Sequence, residues 1–103
     1  MYSRVTLLEI DTVRYGLGDA VRLFEEDVAP GLREQDGYEG VLVLATPEGK
    51  GMILTVWDTA EAAADASGFA SRALERHMML FKAPPGREQY EVVFAEMPGT
   101  LVG

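Results

Sequence analysis

Residues 41–63, VLVLATPEGKGMILTVWDTAEAA, decide the fold. Val41 to Ala45 and Met52 to Leu54 are unbroken apolar runs. The second is continued by Val56 and Trp57 after Thr55, and TPEGKG between the runs carries a proline and two glycines. Short aliphatic runs joined by such a turn read as a β-hairpin. At Asp58 the pattern changes. Asp58 and Glu61 have the capping-box spacing, in which the first side chain satisfies a free backbone N–H and the second reaches back, so a helix is expected from Thr59. Ala62, Ala66, Phe69, Ala70, Ala73, His77 and Phe81 make its inner stripe, and KAPPGRE at 82–88 ends it with two prolines and a glycine.

Working outward, Arg4 to Ile10 is aliphatic and β-branched without glycine or proline, which predicts a first strand. Leu17, Val21, Phe24, Val28 and Leu32 then recur every three or four residues, with Arg22, Glu25, Glu26 and Arg33 between them. That spacing predicts an amphipathic helix, with Asp19 suited to the dipole at its start. Pro30 falls inside it and should kink or restart it, because proline lacks the N–H and crowds the preceding turn. QYEVVFAE at 89–96 alternates as a closing strand. The order strand, helix, strand, strand, helix, strand predicts an α+β, ferredoxin-like βαββαβ fold, with a four-stranded antiparallel sheet and two helices on one face. Residues 1–97 are expected to form one domain and 98–103 a flexible tail.

Consecutive strand residues point to opposite faces, so the unbroken hairpin runs require burial on both sides of the sheet. Two helices cover one face. The other is expected to pack sheet to sheet against a second copy, burying roughly 1,600 Å² in total for an interface of standard size. The plainer alternative is a cap from the tail residues Leu101 and Val102.

Composition narrows the function. A chain of 103 residues, 48% hydrophobic and 25% charged, suits one folded domain. A net charge of −8, from 17 acidic against 9 basic residues, repels phosphate backbones and anionic lipids, so neither nucleic acid nor membrane is an expected partner. With no cysteine there is no thiolate nucleophile and no zinc site of the cysteine type. MYSRVTLLEI lacks the marks of a signal peptide and no run approaches the ~20 apolar residues of a bilayer span, so a cytoplasmic location is expected.

Three features together resemble a known family: the element order, VAPGLREQDGYEGVLVL at 28–44 with its helical proline and Gly-aromatic-x-Gly entry to the second strand, and the VWDTAEAA junction at 56–63. The chain is similar to the dimeric α+β barrel superfamily, and within it to the antibiotic biosynthesis monooxygenase domain, over Tyr2 to Ala95. The resemblance implies a homodimer whose sheets form a joint barrel, with a small cavity in each subunit between helices and sheet. Some members oxidise polycyclic phenols without metal or flavin, some degrade haem, and many have no demonstrated activity. Trp57 matches a tryptophan that often lines the cavity. Where similar proteins commonly carry a histidine, this chain reads AAADAS at 62–67, and it contains no asparagine to furnish an amide-lined haem site.

The candidate site residues follow from residue chemistry. His77 is the single histidine, the side-chain type suited to proton transfer at physiological pH, and it shares the inner stripe of the second helix. It is the candidate catalytic base or axial ligand, the plainer reading being a histidine at the core rim satisfied by a carboxylate or carbonyl. Trp57 is a candidate cavity wall or a core closure. Phe24, Phe69, Met78 and Phe81 have inward helical spacings that suit core packing as well as a pocket. Arg4 would meet an anionic ligand or pair across strands with Glu91. Tyr90, alternating with Val92 and Phe94, is expected to be buried with its hydroxyl paired. GLGD at 16–19 and PEGKG at 47–51 fit ordinary turns and lack P-loop spacing.

Three functions compete. The first is a homodimer with an apolar cavity that binds an aromatic or polycyclic compound and oxidises it without a cofactor or metal. The second is a non-catalytic binding or structural module of the same fold. The third and weaker one is haem binding or degradation through His77.

Overall fold

A computed structural model of the chain describes residues 1–77 and 86–97, with the backbone alone at 74 and 86–88. The strands are β1 (Tyr2–Glu9), β2 (Tyr38–Ala45), β3 (Lys50–Trp57) and β4 (Gly86–Glu91). The first helix has three parts, α1 (Leu17–Leu23), a π-helical segment (Phe24–Val28) and α2 (Ala29–Arg33); the second is α3 (Ala60–Arg76). The sheet order is β2-β3-β1-β4, antiparallel throughout, which is the expected ferredoxin-like arrangement. Met78, Phe81 and the tail 98–103 lie outside the described residues.

The hairpin forms where its sequence places it. Leu42 pairs with Leu54 and Val43 with Ile53, and the turn closes with Thr46 N–H donating to the Lys50 carbonyl at 2.8 Å. Gly49 has φ 96°, a conformation a Cβ would strain, and the Ile10 N–H donates to its carbonyl at 2.7 Å. Gly37, with φ 81°, turns the chain from α2 into β2, and its carbonyl accepts the Asp58 N–H at 2.9 Å. A Cβ on Gly37 would collide with the Asp58 carboxylate and the Ala62 methyl.

The register assigns the two faces of the sheet. Tyr2, Arg4, Thr6 and Leu8 of β1 stand beside Trp57, Thr55, Ile53 and Gly51 of β3 on the inner face, under the helices. Val5 and Leu7 stand beside Leu54 and Met52 on the outer face, with Leu42 and Leu44 of β2. The core lies on the inner side, where Val28, Leu32, Trp57, Ala63, Ala66 and Ala73 are buried together. Small residues along α3 bring its backbone close to the sheet, leaving room for the one large buried side chain, Trp57.

The restart expected at Pro30 is found and takes a specific form, while three other details differ from the sequence reading. The first helix passes through the π segment just before Pro30. Proline cannot donate to the carbonyl four residues back, and the widened turn accommodates the lost bond before α2 restarts. The cap of α3 is Thr59, whose Oγ1 accepts the Ala62 N–H at 3.0 Å; the Asp58 backbone is engaged with Gly37 instead. The stripe of α3 starts at Ala63 and runs through Ala66, Ala70, Ala73 and His77 in alternating steps of three and four; Ala63, Ala66 and Ala73 are buried, and Ala70 and His77 are half-buried, as is Ala62 beside them.

The closing strand ends at Glu91, earlier than its alternation suggested. Glu91 is opposite Tyr2, the first residue of β1, so after Val92 N–H donates to the Met1 carbonyl at 2.9 Å no strand remains to pair with. Val93 and Phe94 consequently stand 87% and 79% exposed. Replacing Gly37 by alanine is expected to cost about 1–3 kcal/mol for the left-handed backbone alone, with the side-chain collision adding to it. Urea denaturation followed by Trp57 fluorescence measures the loss.

Candidate ligand cleft between helices and sheet

Two cavities lie between the helices and the inner face of the sheet. The first encloses about 60 Å³ near the hairpin end and is lined by apolar side chains, among them Leu8, Val21, Phe24, Ile53 and Ala73. His77 is the one titratable side chain on its wall among the described residues. Val21 and Val43 of the lining are themselves exposed, so the cavity opens to solvent at their edge.

His77 follows the last turn of α3, one helical repeat past Ala73, which points it along the buried stripe to the cavity rim. Asp27 of the π segment meets it, with Nε2 and Oδ2 2.6 Å apart. A carboxylate accepts from Nε2–H, so the neutral ring carries its lone pair at Nδ1, the nitrogen available to take a proton from a ligand. Arg76 Nη2 lies 3.9 Å from the same carboxylate oxygen. Asp27 is three residues after the inward Phe24 but reads as one of the acidic residues of a solvated face, and no local spacing joins it to a histidine 50 residues later. Sequence reasoning missed it for that reason.

The second cavity, about 30 Å³, lies deeper along the sheet and is more polar, with Arg4, Thr6, Thr55, Trp57 and Ser67 on its walls. Trp57 is 1% exposed, and its indole N–H donates to Thr55 Oγ1 at 2.9 Å. Tyr38 meets the indole edge-on, with centroids 5.8 Å apart. Trp57 therefore closes the core and walls the second cavity with its polar edge already satisfied inside its own strand. Phe24, Val28 and Ile53 line both cavities and form the partition between them.

Of the other sequence candidates, Arg4 is on the wall of the second cavity, while Phe69 and Tyr90 fall elsewhere. Arg4 stands opposite Gln89, and its Nη1 donates to Oε1 at 3.4 Å; Glu91, one strand repeat on, faces Tyr2 instead. Phe69 lines neither cavity, because the tip of its ring occupies the space a Cβ on Gly31 would fill, at the contact of α2 with α3. Tyr90 is paired with Ser3 on the outer face and is 49% exposed, so the burial expected of it is not found; odd and even positions of β1 face opposite ways, and it shares the odd face. Among the described residues no three potential metal ligands cluster, and no helix is long and apolar enough to cross a membrane.

No family model matches the sequence, and no curated protein matches it. Solved structures do. A candidate antibiotic biosynthesis monooxygenase of Nitrosomonas europaea superposes with a TM-score of 0.71 at 11% identity, covering 91% of this chain and all of that one, the full 100%. A monooxygenase of Streptomyces coelicolor in complex with Nanaomycin D gives 0.69 at 19% identity, over 95% and 92% of the two chains. The haem degrader MhuD of Mycobacterium tuberculosis, with two haems bound, gives 0.68 at 15%, over 94% and 100%. The chain thus has the fold of the antibiotic biosynthesis monooxygenase-like proteins, as its sequence resemblance implied.

The two aromatic and acidic contacts differ in weight. Trp57→Ala is expected to cost about 3–5 kcal/mol for the emptied core site, against at most about 1 kcal/mol for Asp27→Ala, whose carboxylate is half-exposed. Thermal denaturation by circular dichroism distinguishes the two.

Proposed function

We propose that the chain forms a homodimer whose helix–sheet cleft binds a small aromatic molecule and oxidises it with molecular oxygen, without a resident cofactor. One observation carries this reading: a histidine held by a carboxylate is the titratable group on the wall of an otherwise apolar cavity. Apolar walls seat a ring, and the placed base supplies the one step that a ring cannot perform for itself. The fold shared with the Streptomyces coelicolor monooxygenase supports it.

The chemistry asked of the protein is small. His77 Nδ1 takes the phenolic proton, and the Asp27 carboxylate stabilises the imidazolium that results. The phenolate, richer in electrons than the phenol, reduces oxygen. One oxygen atom forms a new bond to ring carbon, the O–O bond breaks, the ring becomes a quinone, and the second oxygen leaves as water with the two hydrogens the ring has lost. Substrate supplies all four electrons. The apolar walls keep water from the phenolate and favour dissolved oxygen, itself apolar.

The second reading, a binding or structural module without catalysis, is favoured by size. About 60 Å³ is less than the roughly 150 Å³ that encloses a benzene ring in an engineered cavity, so a ring must also occupy the open mouth. Haem does not fit the cleft as it stands, because the enclosed volume is far too small for a porphyrin. The exposed apolar side chains of the sheet's outer face, Leu7, Leu44 and Tyr90, support the dimer, and a cytoplasmic setting belongs to the same reading.

An oxygen electrode with a panel of phenols and hydroquinones tests it. The expected result is uptake of one oxygen molecule per quinone formed, with His77→Ala slower by about 10²–10⁴ as for loss of a general base. Folded protein that consumes no oxygen with any of the panel sustains the non-catalytic reading.

A further inference from the structure

The strand β4 stops at Glu91, but the sequence beyond it stays strand-like. Val92, Val93, Phe94 and Ala95 are β-branched, aromatic or small and apolar, and Pro98 bounds the run. Past the bond from Val92 N–H to the Met1 carbonyl, no strand among the described residues pairs with this arm. Val93, Phe94 and Met97 stand 87%, 79% and 53% exposed. Apolar side chains grouped in this way on one segment are unfavourable in water and mark a contact surface.

At the opposite edge of the sheet, β2 has β3 on one side and, among the described residues, no strand on the other. The two sheet edges differ in character. β4 carries Arg87, Glu88, Gln89 and Glu91, the kind of charged edge that discourages pairing. From Gly40 to Ala45 β2 carries neither charge nor proline, and its one register shift is confined to Tyr38 and Gly40 at its start. The rest is a regular, unguarded row of backbone donors and acceptors.

The arm of the same chain cannot use that row. Strands lie about 4.8 Å apart, so the order β2-β3-β1-β4 puts the far side of β2 about 19 Å from β4. Residues 92–97 span at most about 21 Å when fully extended, so the crossing would consume the segment that has to pair. A second copy has no such limit. The β2 edge also borders the larger cavity, which opens to solvent at Val43 of β2 and Val21 of α1. A strand laid along this edge sets alternate side chains beside that mouth.

We propose that residues 92–97 of one copy add as a further strand to the β2 edge of a second copy, reciprocally, and that the apolar side chains of the arm close the mouth of that copy's larger cavity. This rests on the homodimer reading above and adds that each cleft is completed by the other chain. A two-fold exchange pairs both β2 edges at once and leaves neither open to a third chain.

Because the chain has no cysteine, introduced thiols report the contact directly. Full-length single-cysteine variants at Val43 or Leu44 of β2 are mixed pairwise with variants at Val92, Val93, Phe94 or Ala95, left to exchange subunits, and oxidised. Disulfide-linked dimers are expected on a non-reducing gel, with Val43→Cys linking to one alternate set of arm positions and Leu44→Cys to the other, as adjacent strands dictate. Phe94→Ser is expected to raise the dimer Kd by about tenfold or more in sedimentation. A side chain so exposed in the single chain contributes little to its fold, and an unchanged circular dichroism melt confirms that the loss is one of association. Arm and β2 cysteines that fail to link while the native protein sediments as a dimer overturn the exchange and leave sheet-to-sheet packing by itself. Linkage within one chain, in a variant carrying both cysteines, overturns it equally. A native protein that sediments as a single chain defeats the homodimer reading and the exchange together.

Discussion

The structure depends on a hairpin, β2 and β3, whose runs are apolar on both faces, while the described residues supply helical cover for one. On the inner face the first helix and α3 do the covering, and Trp57 is the side chain around which they close. Its burial is possible because α3 meets the sheet through Ala63, Ala66 and Ala73, whose small side chains leave the volume that an indole fills. On the outer face Leu7, Leu44 and Tyr90 stand roughly half-exposed among Val5, Leu42, Met52 and Leu54, and Val93 and Phe94 project beyond the last pair of the sheet. Apolar surface arranged contiguously is what an interface presents, and the proposed twin subunit would cover it by the same sheet-to-sheet packing that closes a sandwich.

The cleft is a consequence of how the inner face is closed. An alanine-lined helix packs tightly near Trp57 but cannot fill the space towards the hairpin end, where Leu8, Val43 and Ile53 diverge from the π segment. Pro30 contributes from a distance: the widened turn it imposes carries Phe24 into the partition at one end and Asp27 to His77 at the other. The same backbone irregularity thus sets the cavity boundary and fixes the orientation of the one imidazole. Packing leaves the volume, and the carboxylate gives its rim a defined tautomer.

Much of the fold was legible in the sequence because it is written in local periodicity. The hairpin, the helix after Asp58 and the order of elements follow from runs, turns and spacings within a dozen residues. The end of β4 was not legible, since it is set by where its partner β1 begins, a fact about pairing that alternation in QYEVVFAE does not contain. The faces of Tyr90 and Phe69 failed similarly, one decided by register and the other by a glycine on a different helix. Of the site, His77 and Trp57 could be picked out as single residues of distinctive chemistry. Asp27 could not, because an acid on a charged face becomes notable through its three-dimensional neighbours alone.

Sedimentation equilibrium at micromolar concentration tests the two-faced sheet most directly. The account predicts a particle of two chains, which dissociates when Leu44 and Leu7 on the outer face are both replaced by charged residues. A native protein that sediments as a single, fully folded chain at that concentration would contradict it, because the bare face would then be stable in water and the reason for a partner would be gone.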